Sequence, residues 1–486
     1  MQFVSGLSVL GLLVFFASTG SADSRPPNVI VVFVDDMGYA DVGLQGTTPD
    51  VRTPHIDRLG AGGVHCTAGY ITAPQCSPSR AGLITGRYQQ RFGMDSIADC
   101  PLPLEETTLS DRLSRAGYTC GMVGKWHLSP HAGSLAWART HARINDRGQA
   151  ALSQSQVLDY YPHKRGFQQY FVGERNRYYA NYSIGDKPAN DEAAWTDEPG
   201  YRIDIQTEAA LEFIRKNKDN PFFLDLNYFA PHVPLAAPQE YLDRFPGPMP
   251  ERRRYALAMI SAVDDGVGRL LDLLDESGTA DDTLIFFTSD NGAPLALTQP
   301  DKRPIDSFDA SWDGSLNDPW IGEKGMLSEG GIRVPFLVRW PAQLPAGRVY
   351  PEPVSSLDIA ATALAAAGAE DRSGLDGVDI CSFLAGDTAG PPHDYLFWRF
   401  WSQAAVRSGK WKYLTAGDGA RAFLFDLTSD EHECQNLLEE NPQTAARLRR
   451  ALEGWASELR PAGIPSGPMN PQEQAWYSHY FPTAPE

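Results

Sequence analysis

Positive charge is what this sequence has least of. Its 486 residues carry 42 Lys and Arg against 61 Asp and Glu, a formal charge of −19. A surface that acidic excludes nucleic acid as an electrostatic partner, and it repels any polyanion at long range unless a local basic patch opposes the field. Cysteine is sparse too. There are six, Cys66, Cys76, Cys100, Cys120, Cys381 and Cys434, and none stands in the Cys/His spacing that zinc prefers. Internal repeats and low-complexity blocks are absent. Beyond the N-terminal segment no apolar run approaches the roughly 20 residues that a membrane span needs.

What is there starts with a leader. Leu7 to Ala17 is a short apolar run, and Gly20-Ser21-Ala22 offers small residues before a cut, so residues 1–22 read as a secretory signal that lacks a basic n-region. No Cys follows that run until Cys66, which argues against a lipoprotein anchor. The reading predicts a secreted or periplasmic chain with no membrane attachment after cleavage. One glycosylation sequon is present, Asn181-Tyr182-Ser183. The length fits one large domain plus a smaller one, and the sequence leaves the oligomeric state open.

Strand and helix patterns alternate over most of the chain. Asn28 to Val34 is a continuous β-branched run, as in a strand buried on both faces, and Asp35-Asp36 follow it. Val64 to Tyr70 reads as a strand. Thr108 to Asp111 resembles a capping box at a helix start. Tyr118 to Val123 is a strand ending in Gly124-Lys125-Trp126-His127, and Pro221 to Phe229 is another ending in Ala230-Pro231-His232. Apolar positions recur every three or four residues from Tyr255 to Leu274, which predicts an amphipathic helix. Thr283 to Thr288 is a strand ending in Ser289-Asp290-Asn291-Gly292, and Val334 to Val338 is a fifth. This predicts an α/β fold with a large mixed, mainly parallel sheet flanked by helices. From about residue 390 four short strands with turns between them, then a helix over Gln443 to Leu459, predict a small antiparallel sheet with a terminal helix. The boundaries are 23–388 for the large domain and 389–486 for the small one. The tail from Pro461 shows no regular pattern; it either lies over the main domain or hangs loose.

Four strand ends thus deliver Asp-Asp, Lys/His, His and Asp-Asn, and ligands of open α/β sheets sit at that edge. Asp35, Asp36, Asp290 and Asn291 are oxygen donors only, which points to a hard cation, calcium or magnesium. The stretch Gln75-Cys76-Ser77-Pro78-Ser79-Arg80 places a thiol at a helix mouth. Ser77 suits the N-cap and Pro78 the first helical position. Free N–H groups there suit an oxyanion and lower a thiol pKa. The plainer alternative is a helix start that happens to carry a Cys.

The stretch Cys76-x-Pro78-Ser79-Arg80 through Ile84-Thr85-Gly86 resembles the signature of the type I sulfatases, with Ile84 in place of Leu. Asp35-Asp36, Gly124-Lys125-Trp126-His127-Leu128, Pro231-His232, Ser289-Asp290-Asn291-Gly292, Gly322-Glu323-Lys324-Gly325 and Glu329 to Pro335 resemble further blocks of that family, in order, over most of residues 28–345. The resemblance implies an alkaline-phosphatase-like fold and a sulfuric ester hydrolase. It implies that Cys76 is oxidised to formylglycine by a maturation enzyme of the producing cell. It also implies a metal site of Asp35, Asp36, Cys76, Asp290 and Asn291 that takes Ca2+ in preference to Mg2+. Lys125, Lys324 and the cation would bind the sulfate oxygens, and Arg80 would support the formylglycine diol. His232 or Lys324 would protonate the leaving oxygen, and His127 would act as base in the release step. The substrate so implied is a sulfated carbohydrate or an aryl sulfate. With Cys76 modified, five cysteines remain and at most two disulfides can form.

Alternatives stay open: a phosphate or phosphonate ester hydrolase using the same nucleophile, or an inactive relative that binds sulfated glycans. One departure from the family pattern is an insertion over Ser129 to His163. Arg139, Arg143 and Arg147 are spaced there to share one face of a helix over Ala136 to Asp146. That face is either solvated charge or a basic grip for a sulfated polymer.

Overall fold

A computed structural model describes residues 25–185, 187, 192–296, 305 and 312–482. The proposed leader lies outside the described residues. Among these, no helix is long and apolar enough to cross a membrane.

A ten-stranded sheet organises the chain. Five neighbours run parallel in the order Thr283–Ser289, Asn28–Asp35, Phe222–Pro231, Thr119–Gly124 and Gln169–Val172. Phe336–Arg339 and Val64–Cys66 extend one side with antiparallel pairings, and Arg348–Tyr350 closes that edge. Arg177–Ala180 and Ala194–Asp197 extend the other side. The Asn28 strand lies at the centre and is buried at every residue. Ile30, Val32 and Val34 face the helices Arg202–Asn217 and Glu251–Glu276, while Val29, Val31 and Phe33 face the Cys76–Thr85 and Leu357–Ala366 helices. Period-two alternation therefore serves two apolar layers, which is why the strand shows no polar face. Each such buried Val or Ile contributes about 1.5–3 kcal/mol.

The small antiparallel sheet is present as Leu396–Phe400, Gln403–Ser408, Trp411–Ala416 and Arg421–Asp426, with the helix Pro442–Ala456 against it. It does not stand apart. Trp398, Phe400, Leu414 and Phe425 share a core with Tyr70, at the end of a two-residue strand, and with Met326, Leu327 and Val334 of the loops between strands.

Three expectations change. The predicted strand from Val64 to Tyr70 is two short strands, Val64–Cys66 and Gly69–Tyr70, in different sheets. The tail is not patternless. Pro471–Tyr480 is a helix whose Asn470 side chain accepts from the backbone of Gln472 and Glu473. The helix expected over Ala136 to Asp146 spans only Leu135–His141, and a second short helix of the insertion follows at Gln154–Leu158. The chain extends at Ala142 and forms a hairpin of Arg143–Ile144 with Ala150–Ala151. Arg139, Arg143 and Arg147 are all exposed, but they share no helix face. None of the six cysteines is paired with another.

Candidate active site

The four central parallel strands run in one direction, so their carboxyl ends meet at one edge. Asp35 and Asp36 close the Asn28 strand, Asp290 and Asn291 follow its Thr283 neighbour, and His232 follows its Phe222 neighbour. Lys125 and His127 follow the next strand out. Gly124 has φ +93°, and a Cβ there would meet the Asn227 carbonyl oxygen at 2.0 Å, so only glycine lets the strands approach this closely before Lys125.

Cys76 is the first residue of its helix, and all of Cys76–Thr85 is buried. The N-cap is Gln75 rather than Ser77, and no side chain caps the helix. Gln75 Oε1 instead accepts from the backbone of Ile97. Pro78 thus falls in the first turn, where its missing N–H costs nothing. The thiol pKa is raised, not lowered. Burial dominates, and the nearby charges of Lys125 and Lys324 do not overcome it. The sulfur marks the place that the diol oxygens of a formylglycine would take.

Around it the charges pair off. Lys324 Nζ lies 3.2 Å from Cys76 Sγ and 2.5 Å from Asp36 Oδ1. Lys125 Nζ lies 2.5 Å from Asp35 Oδ2. Arg80 donates to Asp290 Oδ2 at 2.7 Å, to Asn227 Oδ1 at 2.8 Å and to the Lys125 carbonyl at 3.2 Å. His232 Nε2 lies 3.6 Å from Asp36 Oδ2. His232 Nδ1 sits 2.5 Å from the Val233 carbonyl, which only accepts, so Nδ1 carries the proton and Nε2 faces the site. His127 stands at φ +52°, and its buried Nδ1 has no hydrogen-bond partner among the described residues.

The electrostatics sort these groups. Burial would lower the Lys125 pKa, but Asp35 outweighs it and carries it up to about 12. Burial opposes the Lys324 charge in the same way, and Asp36 with its neighbours holds that pKa well above the ordinary range. Both stay ammonium ions. Burial, with Lys125 and Arg80, pushes His127 well below the imidazole range, and burial lowers His232 as well. Both imidazoles are neutral near pH 7. Burial raises both Asp35 and Asp290. Lys125, His232 and Arg80 return Asp35 to well below the carboxylate range, whereas Asp290, which also faces Asp35, is pushed up to about 7.

The oxygens at this edge fit a cation. Asp35 Oδ1 and Asn291 Oδ1 are buried with no hydrogen-bond partner among the described residues. Ligand atoms of Asp35, Asp36, Cys76 and His232 lie within 4.8 Å of one another. Asp36 adopts φ +64°, and its backbone N–H donates to Asp290 Oδ1 at 3.1 Å, which ties the two acidic strand ends together. The donor set is oxygen-rich, as a hard cation requires.

The predicted site residues therefore gather at this edge, His127 through its place after the Lys125 strand and the charges of Lys125 and Arg80 that reach it rather than through a direct contact. Two others escaped sequence reasoning. Asn227 holds Arg80, and its signal was a polar residue inside the apolar run Phe222–Phe229. Asp313 is buried, and its pKa is held well above the usual range by burial and the charge of Asp36. No sequence pattern marks it.

Residues 27–369 match the Sulfatase family, and residues 320–458 match N-sulphoglucosamine sulphohydrolase, C-terminal. The chain is 32% identical to mouse (Mus musculus) steryl-sulfatase over 80% of this chain and 69% of that protein. It is 31% identical to mouse N-acetylgalactosamine-6-sulfatase, over 85% and 75%. With bovine (Bos taurus) arylsulfatase A it shares 30% identity over 92% and 90%. The crystal structure of Ps i-CgsB superposes with a TM-score of 0.72 at 29% identity, covering 94% of this chain and 98% of that one. With this match, and with sulfatase motifs converging on one sheet edge, the chain belongs to the sulfatase family and is a sulfuric ester hydrolase.

Proposed function

We propose that this protein is a secreted or periplasmic sulfatase that removes sulfate esters from a sulfated carbohydrate, using a formylglycine made from Cys76 by a maturation enzyme. The observation that carries the reading is Lys324, whose ammonium bridges Cys76 Sγ and Asp36 Oδ1 beside two buried oxygens, Asp35 Oδ1 and Asn291 Oδ1, that accept no hydrogen bond among the described residues. The carbohydrate class is supported by neighbours: Ps i-CgsB has also been solved in complex with k-i-k-neocarrahexaose, and a relative is an N-acetylgalactosamine-6-sulfatase.

In this reading Asp35, Asp36, Asp290, Asn291 and the modified residue 76 hold a calcium ion, with magnesium the weaker choice. The ion supplies Lewis-acid polarisation of a sulfate oxygen. Residue 76, once hydrated, supplies two geminal hydroxyls, one to attack sulfur and one whose deprotonation restores the aldehyde and expels sulfate. Lys125 and Lys324 are fixed ammonium donors for the remaining sulfate oxygens. Arg80, locked by Asp290 and Asn227, steadies the diol. His127 is neutral and takes the second hydroxyl proton. Neutral His232 carries its proton on Nδ1 and has none at Nε2 to give, so Lys324 protonates the leaving alkoxide, a stronger base than an amine, while His232 Nε2 faces the site as an acceptor. Residues 23–388 would form the catalytic unit and 389–486 its buttress.

The test is peptide mass spectrometry across Cys76 together with turnover of 4-nitrophenyl sulfate and of a matched phenyl phosphonate ester. Active protein should carry the aldehyde, prefer the sulfate ester and lose activity as Cys76→Ala. An unmodified thiol in fully active protein would overturn the mechanism.

A further inference from the structure

The loop that carries Lys324 has no regular structure of its own. Residues 321–327 are coil and turn, with Gly322 and Gly325 at φ +92° and +97°. Such a loop is held from outside or not at all. Yet its ammonium must reach both Asp36 and residue 76.

The terminal helix holds it. Trp476 Nε1 donates to Glu323 Oε1 at 2.9 Å. The same indole packs on Gly325, where a Cβ would meet Trp476 Cη2 at 2.4 Å. Tyr477 OH donates to Gln403 Oε1 at 2.9 Å, and Gln403 Nε2 donates to the Gly325 carbonyl at 2.8 Å. Both flanks of Lys324 are therefore gripped, one directly and one through Gln403. Trp476 is 1% exposed, Tyr477 and Gln403 are 0% exposed, and Glu323 is 3% exposed, so these contacts are shielded from water. The loop in turn meets the reacting centre. Gly325 N–H donates to the Pro74 carbonyl at 2.9 Å, and Lys324 N–H to the Ala293 carbonyl at 3.1 Å, two residues from Cys76 and from Asn291.

We infer that Trp476 is a positioning residue for the sulfatase reaction, fixing the Lys324 ammonium against residue 76 through the indole's hydrogen bond to Glu323 and its packing on Gly325. The inference rests on the role given to Lys324 above. Trp476 touches no substrate, and its effect falls on chemistry rather than on binding. A displacement of about 1 Å at a reacting group can cost on the order of 100-fold in rate.

The experiment compares wild type with Trp476→Phe, which keeps a ring and removes the N–H, and Tyr477→Phe, which removes only the hydroxyl. Each full-length protein is assayed with 4-nitrophenyl sulfate, its melting temperature is measured, and the lysine side chains are observed by 15N NMR. Lys324→Arg assigns the Lys324 signal, and Lys412, buried elsewhere, serves as the control. The expected result for Trp476→Phe is a kcat roughly 10- to 100-fold lower with KM within about twofold, a moved or broadened Lys324 signal, an unmoved Lys412 signal and a melting temperature near wild type. Tyr477→Phe should do the same more weakly. An unchanged Lys324 signal with unchanged kcat overturns the inference. So does a loss of rate that merely follows the unfolded fraction. If wild type fails to hydrolyse the sulfate ester, the functional reading falls, while the Lys324 signal still decides the positioning.

Discussion

Lys412 and Glu329 meet at 2.9 Å with both side chains fully buried, although one belongs to the small sheet and the other follows the Lys324 loop. Glu433 lies 2.8 Å from the same ammonium, and its other oxygen accepts from the Glu329 backbone at 2.7 Å. Burial works against the Glu329 charge, but Lys412, Arg333 and Arg407 hold its pKa down at about 2. For Glu433, Lys412 and the Glu329 backbone N–H do not offset burial and the Glu329 charge, and its pKa rises to about 7. Removing the lysine leaves two carboxyl groups facing each other without water. Lys412→Met should therefore destabilise the protein by about 3–5 kcal/mol in urea unfolding, and adding Glu433→Gln should recover part of that loss.

His393 gives a pH-dependent contribution. Its Nε2 lies 2.8 and 2.9 Å from the two oxygens of buried Asp358. Burial alone would lower its pKa; the Asp358 charge and hydrogen bond, with a smaller push from Asp394, together raise it. A folded-state pKa above the unfolded one stabilises the fold fully below the unfolded value, near 6.5, and the effect is lost as pH rises through the folded value. His393→Gln should thus cost about 2 kcal/mol at pH 6 and less at pH 9. Unfolding curves at the two pH values check this; an equal loss at both would count against the ion pair.

The oxygen cluster at Asp35, Asp36, Asp290 and Asn291 should bind one divalent cation. A ligand bound only to the folded state adds about 2.7 kcal/mol at 100 times its Kd. Calcium should raise the melting temperature of chelator-treated protein, magnesium should do so less, and Asp35→Asn should abolish the shift. Zinc acting better than calcium would contradict the oxygen-donor reading.

Burial and nearby carboxylates raise the thiol pKa of both Cys76 and Cys434, but Cys76 is 1% exposed whereas Cys434 is exposed. Folded protein made without a maturation enzyme should label quickly with a maleimide at Cys434 and at Cys76 only on denaturation. Peptide mapping of the label distinguishes the two.

Much of the site was legible because its donors follow long, strongly patterned strands. The apolar run at Asn28 and the Asp pair after it need no tertiary information to be read as strand and strand end. The misses were local. The arginine spacing of the insertion suggested a helix, but Asn145-Asp146-Arg147-Gly148 carries a turn signal, and the Asn145 side chain accepts from the backbone of Arg147 and Gln149 to close the hairpin. Asn470-Pro471 with Glu473 is a helix-start signature that the prolines before it obscured. Asn227 and Gln403 act through contacts with residues 147 and 78 positions away; local pattern shows at most a polar residue in an apolar run, as at Asn227, and not its partner.

The complete burial of the Cys76 helix imposes an order in time. In the proposed reading, an enzyme that oxidised residue 76 would need this segment as open chain, before the helix seats beneath Lys324 and the terminal helix closes over the Lys324 loop. Modification, in the proposed reading, would then precede folding, and a chain that folded first would be trapped as a thiol. The yield of active protein would be set by a race between the maturation enzyme and collapse of the sheet, so slower folding at lower temperature should raise the aldehyde fraction.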